Sequence, residues 1–133
     1  MRRNGREAVY KLLFSNSFND TFTEEFKLFI YAEEKLSKED VIFADNLLAI
    51  YYEHQKEIDD IIVELAKGYK LERLYATDKC ALEIAILEMT YIDEIPYIVS
   101  ISEAMELVRK YSTSESPNFV NGILAEYKKR LES

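Results

Sequence analysis

The side chains best equipped for chemistry are few. Among 133 residues there is one histidine, His54, and one cysteine, Cys80, too few for a zinc cluster or for a Cys-His dyad with an orienting group. Carboxylates are plentiful, but pairs such as Asp59 with Asp60, Glu83 with Glu88 and Glu103 with Glu106 arise on any acidic helix. A di-iron bundle needs Glu-x-x-His twice, whereas Tyr51 stands three residues before His54. No P-loop, G-x-G-x-x-G or G-x-S-x-G run occurs, and three glycines could not build several phosphate loops. The expectation is a protein without catalytic residues, metal or cofactor, in which His54 lies on a helix surface and Cys80 is a small core residue.

Charge carries more. The net charge of −8 argues against nucleic acid, yet it conceals an asymmetry. The first 14 residues hold Arg2, Arg3, Arg6 and Lys11 against Glu7 alone, a local +3. Residues 15–110 hold 21 acidic and 10 basic side chains, a local −11, and residues 111–133 balance. A basic start suits a phosphate backbone, and an acidic middle suits a basic protein.

The elements that would position these groups read as helices. Only 3 Gly and 2 Pro occur, too little turn chemistry for a sheet protein, and the 48% hydrophobic content excludes disorder. No apolar run approaches the roughly 18 residues that would cross a bilayer, a lone cysteine makes no internal disulfide, and no signal segment opens the chain, so no membrane association and a reducing cytoplasm are expected.

Asn4 is placed to cap a first helix with Val9, Tyr10, Leu13 and Phe14 on its buried face. Thr21 with Glu24, Ser37 with Asp40 and Ser100 with Glu103 have capping-box spacing. Ile58, Ile61, Ile62 and Leu65 continue to a stop at Gly68, and Ser116-Pro117 opens the last helix. The stretch Asp78 to Met89 is apolar nearly all round and belongs at the centre. These segments predict an all-α, single-domain bundle of seven helices over residues 1–133, with a further short turn near Leu71 to Leu74.

The run Ser102-Glu103-Ala104-Met105-Glu106-Leu107-Val108, then Lys110-Tyr111-Ser112, then Asn118-Phe119-Val120-Asn121-Gly122-Ile123-Leu124 resembles the C-terminal signature of the NusB family of transcription antitermination factors. Arg3, Arg6, Ala8, Leu13 and Phe14 resemble that family's arginine-rich opening helix, and Leu82, Ile84, Ala85, Glu88, Met89 and Pro96 its central pattern. The resemblance covers about two thirds of the chain. It implies a seven-helix fold in two subdomains and a non-catalytic protein that binds boxA RNA of nascent ribosomal transcripts. The family does so as a heterodimer with the ribosomal protein NusE, loading onto RNA polymerase in the antitermination complex.

Carried over residue by residue, the resemblance implies RNA contacts at Arg2, Arg3, Arg6, Glu115, Asn118 and Phe119, and NusE contacts at Glu72 and Asp78. A base would stack on Phe119, a corner that the family sets beside the arginine helix. Three departures remove positive charge or π surface: Tyr69 replaces a Trp, Glu83 an Arg, and Asn118 a basic residue. RNA binding should then lean more heavily on the partner. Gly122 within a helix suggests close packing there, with Asn121 bonded to a neighbouring backbone. The competing expectation is a helical interaction module or homodimer that binds no RNA.

Overall fold

The computed structural model describes residues 2–19 and 21–133. Among the described residues it contains helices α1 (Arg2–Asn16), α2 (Glu24–Glu33), α3 (Lys38–Leu65), α4 (Ala76–Tyr91), α5 (Tyr97–Tyr111) and α6 (Ser116–Glu132), one 3₁₀ turn at Leu71–Arg73, and no strand. The chain divides into two compact units, one reaching Ala49 and the other spanning Ile50–Ser133, and α3 contributes to both.

In the first unit α1 buries Ala8, Val9, Leu12 and Leu13. It begins at Arg2, so Asn4 lies inside its first turn and is not the cap that its residue type suggested. The cap of α2 is Thr23, not Thr21: its hydroxyl oxygen accepts from the Phe26 amide at 3.0 Å. The box read at Ser37 and Asp40 forms reciprocally, with the Asp40 amide donating to Ser37 Oγ and the Ser37 amide to Asp40 Oδ2, both at 3.1 Å. Gly5 is buried where α1 meets α3, and a Cβ there would stand 3.2 Å from the Asp40 carbonyl oxygen and 3.2 Å from the Phe43 ring.

The third and fourth helices expected from the sequence are one. The polar run from Glu53 to Glu57 interrupts the apolar period, but the backbone leaves helical geometry only at His54 (φ −121°, ψ 15°). There the His54 ring stacks on Tyr91, with centroids 4.1 Å apart and planes at 17°. Glu57 joins both, taking the Tyr91 hydroxyl proton at 2.7 Å and lying 3.2 Å from His54 Nδ1. Burial and that carboxylate push Tyr91 up to about 12. Past Leu65 the chain turns through Lys67 (φ 36°) and Gly68 (φ 89°), the stop anticipated at Gly68.

The centre of the second unit is α4, which packs on α5 and α6 and has no wet side. Leu82, Ile86 and Leu87 are fully buried, as is the thiol of Cys80. So too are three carboxylates that the sequence left as ordinary helix charges: Asp78, Glu83 and Glu88. Glu88 takes a proton from Ser100 Oγ at 2.7 Å. Ser100 therefore caps nothing; α5 starts earlier, at Tyr97 after Pro96, and the Ser100 side chain serves a carboxylate twelve residues back. Pro117 sits in the first turn of α6 as expected, but Gly122 does not: its missing Cβ faces open space, and Asn121 is exposed.

Glu83 sits 1% exposed, with the Tyr51 hydroxyl 3.5 Å from Oε2 and Lys79 Nζ 4.0 Å away. Asp59 is its hydrogen-bonding neighbour, and the other Asp59 oxygen, Oδ1, is buried without a partner. Burial, then the Asp59 bond and charge, holds the Glu83 carboxyl well above the usual carboxylate range. A raised folded-state pKa means that the associated stability is complete below the unfolded value near 4.5 and is lost as pH climbs through the folded one.

Two measurements check this description. Glu83→Gln keeps the hydrogen bonds without the ionisation, so its urea midpoint should fall less than wild type's between pH 5 and 8. The gap at pH 8 should be on the order of 1–3 kcal/mol in favour of the variant. The glycines should behave oppositely: Gly5→Ala destabilises by about 1–3 kcal/mol because a backbone carbonyl cannot yield, whereas Gly122→Ala stabilises by about 0.5–1 kcal/mol.

Candidate nucleic-acid interface

In the first unit the three arginines share the opening turns of α1 but not one environment. Arg2 and Arg3 are exposed. Arg6 is 5% exposed and lies against the aromatic face of Phe43, its Cζ 5.2 Å from the ring centroid; Arg2 Cζ stands 5.1 Å from the same centroid. The sequence placed all three as side chains projecting to solvent; Arg6 instead packs, because its helical register turns it toward α3 along with Val9 and Leu13. Arg2 on a ring face retains in-plane N–H donors suited to a phosphate. The first turn of α1 holds no acidic residue to oppose them, and its unpaired amides add partial positive charge.

In the second unit the connection from α3 to α4 and the start of α6 enclose a cleft of about 190 Å³, lined by Tyr69, Arg73, Tyr75, Asp78, Glu115 and Phe119 among others. Phe119, on the first turn of α6, is half-buried, and its ring meets that of Tyr69 edge to face at 5.6 Å and 67°. Glu115 and Asn118 are exposed beside it. The cleft therefore joins aromatic walls to one guanidinium and two carboxylates. Aromatic walls stack a base, carboxylates accept from its N–H edge, and a guanidinium takes a phosphate.

Glu72 and Asp78 part company. Glu72 is exposed on the 3₁₀ turn, whereas Asp78 is 4% exposed, and its Oδ1 accepts from Ser112 Oγ at 2.6 Å. Asp78 is thus not the outward charge anticipated for a partner. Tyr69 entered the sequence reading only as a departure, and Arg73 and Tyr75 not at all. The signal for them was local: three large polar or aromatic groups in the linker 69–75, which has little apolar content of its own to bury.

A model of the NusB family matches residues 3–129. A transcription antitermination protein NusB from Ruminiclostridium cellulolyticum is 38% identical over 128 residues, spanning 96% of this chain and 88% of that protein. Among solved structures, T. maritima NusB superposes with a TM-score of 0.87 at 32% identity, over 100% of this chain and 98% of that one. A chain of the crystal structure of antitermination factors NusB and NusE in complex with dsRNA has the same fold, with a TM-score of 0.87 at 22% identity over 97% of this chain and 96% of that one.

The arginines should separate in a thermal melt. Arg6→Ala, which strips a buried guanidinium from Phe43, should cost about 1–2 kcal/mol. Arg3→Ala should stay within about 0.5 kcal/mol of wild type. Equal losses would place Arg3 in the packing too.

Proposed function

Because the chain belongs to the NusB family, we propose that it is a transcription antitermination factor that binds boxA-type sequence in nascent ribosomal RNA as a heterodimer with NusE and joins the RNA polymerase antitermination complex. It acts in the cytoplasm by binding alone, with no reaction catalysed. The observation that carries the reading is the cleft in which Tyr69 and Phe119 meet edge to face beside Arg73. An unstacked base needs such an aromatic wall and a nearby cation. Arg2 and Arg3 supply phosphate contacts that carry no sequence preference. Glu115 and Asn118, exposed at the rim, meet base edges or sugar.

The acidic balance sets the order of events. A chain with a net charge of −8 holds RNA weakly by itself, so a basic partner must bring positive charge, and the exposed Glu72 lies on the face that receives it. RNA and NusE then bind with positive coupling, each raising the affinity for the other by the same factor.

Gel shift of a boxA-type RNA, with and without NusE, tests this. Binding should tighten when NusE is added. With NusE present, Arg2→Ala combined with Arg3→Ala should make the salt dependence shallower by about 2 in slope. Phe119→Ala should cost about 1–3 kcal/mol with the slope unchanged. No RNA binding in the presence of NusE would hand the assignment to a helical interaction module or a homodimer.

A further inference from the structure

We infer that Asp78 is a positioning residue for the RNA corner: through Ser112 and Ser116 it anchors the loop that sets Glu115 and Phe119 against the cleft. The inference rests on the RNA reading proposed above. It gives Asp78 a role different from that of the exposed Glu72.

The geometry fixes the direction of every hydroxyl in the cluster. Ser112 Oγ donates its one proton to Asp78 Oδ1 at 2.6 Å. Its remaining contacts, Thr77 Oγ1 at 2.7 Å and Ser116 Oγ at 2.9 Å, must then donate to it. Ser116 has thereby spent its own proton, so it accepts from the Thr113 amide at 3.2 Å and from the Thr113 hydroxyl at 2.8 Å. The chain runs one way, from Thr113 through Ser116 and Ser112 to Asp78. Both serine oxygens are saturated, with one bond given and two received.

The carboxylate supplies the sense of that chain. It accepts and does not donate, so it alone orders hydroxyls that could otherwise rotate either way. The segment it orders is short: α5 ends at Tyr111 and α6 starts at Ser116. Glu115, at the N-cap of α6, makes no side-chain cap bond of its own. The Ser116 hydroxyl performs that service for the Thr113 amide, and the Ser116 amide donates back to the Thr113 carbonyl at 3.2 Å. Phe119 follows one turn later, its amide donating to the Glu115 carbonyl at 3.3 Å. A shift of Ser112 or Ser116 therefore moves Glu115 and Phe119 relative to Tyr69 and Arg73, which sit on the other wall. The burial of Asp78 together with Ser116, at 4% and 2% exposed, makes the network costly to leave half-made.

Fluorescence anisotropy with a labelled boxA-type RNA and saturating NusE, over a series of salt concentrations, tests the assignment. Asp78→Ala and Ser112→Ala should each weaken RNA binding about tenfold with an unchanged salt slope, because phosphate contacts are not involved. Asp78→Asn should recover most of the loss, since its amide oxygen still accepts from Ser112. Calorimetric NusE affinity should equal wild type's in all three.

Thr90→Val serves as the stability control. It deletes the 2.6 and 2.7 Å bonds to the Ile86 carbonyl and the Tyr127 hydroxyl, twelve residues along α4, and should lower the melting temperature without changing RNA affinity. RNA binding by Asp78→Ala equal to wild type, a parallel fall in NusE affinity, or an equal RNA defect in Thr90→Val would each overturn the inference. Wild-type protein that ignores the RNA even with NusE sinks the functional reading and the inference together, whereas wild-type binding with an indifferent Asp78→Ala variant sinks the inference alone.

Discussion

The second unit depends on α4 having no face in water. A helix so placed can carry a polar group only if another element comes to meet it. Asp78, Glu83 and Glu88 are spaced five residues apart, and five residues at 100° each turn the side chain by about 140° beyond a full revolution. The three carboxylates consequently leave α4 in three directions. Asp78 meets the loop before α6 through Ser112, Glu83 meets α3 through Tyr51 and Asp59, and Glu88 meets α5 through Ser100. Apolar contacts alone would tolerate a helix slipped or rotated by a residue. These pins would not, because each slip strands a buried carboxyl.

The parts of this arrangement that could be read from the chain are those that depend on neighbours in sequence. Apolar period located the helical segments, and the Ser37 and Asp40 box and the Ser116-Pro117 start needed only residues within one turn. Where the deciding partner is remote, local signals misled. Ser100 with Glu103 has the spacing of a cap, but Glu88 takes its hydroxyl. Thr21 and Thr23 offer similar chemistry, and only chain direction chooses between them. Gly122 looked like a packing contact and faces open space, while Gly5, in a stretch read for its arginines, is where two backbones approach.

The candidate site divides along the same line. Residue types at Arg2, Arg3 and Phe119 sufficed to mark them, and the exposed Glu72, Glu115 and Asn118 stand as solvent-facing groups. Tyr69 and Arg73 could not be paired with Phe119 from the sequence, since fifty and forty-six residues lie between. Arg6 and Asp78 were misjudged in a common way: a charge was equated with a surface. In each case a single neighbour, Phe43 or Ser112, supplies what water would have supplied.

Cys80 gives the burial of α4 a kinetic meaning. Its thiol is wholly enclosed two residues after Asp78, in the helix that the rest of the unit clasps. A thiol reagent can reach it only when that helix opens. Under strong reagent excess the labelling rate therefore becomes the opening rate of the core itself, and at low reagent it reports the population of the open form. The same shielding makes alkylation or oxidation at this position a one-way event, because a core packed this tightly has no room to close again over an enlarged sulfur. The lone cysteine thus acts as a ratchet: a chain that opens in an oxidising or electrophilic medium is withdrawn from the native pool, and its folded neighbours are left untouched.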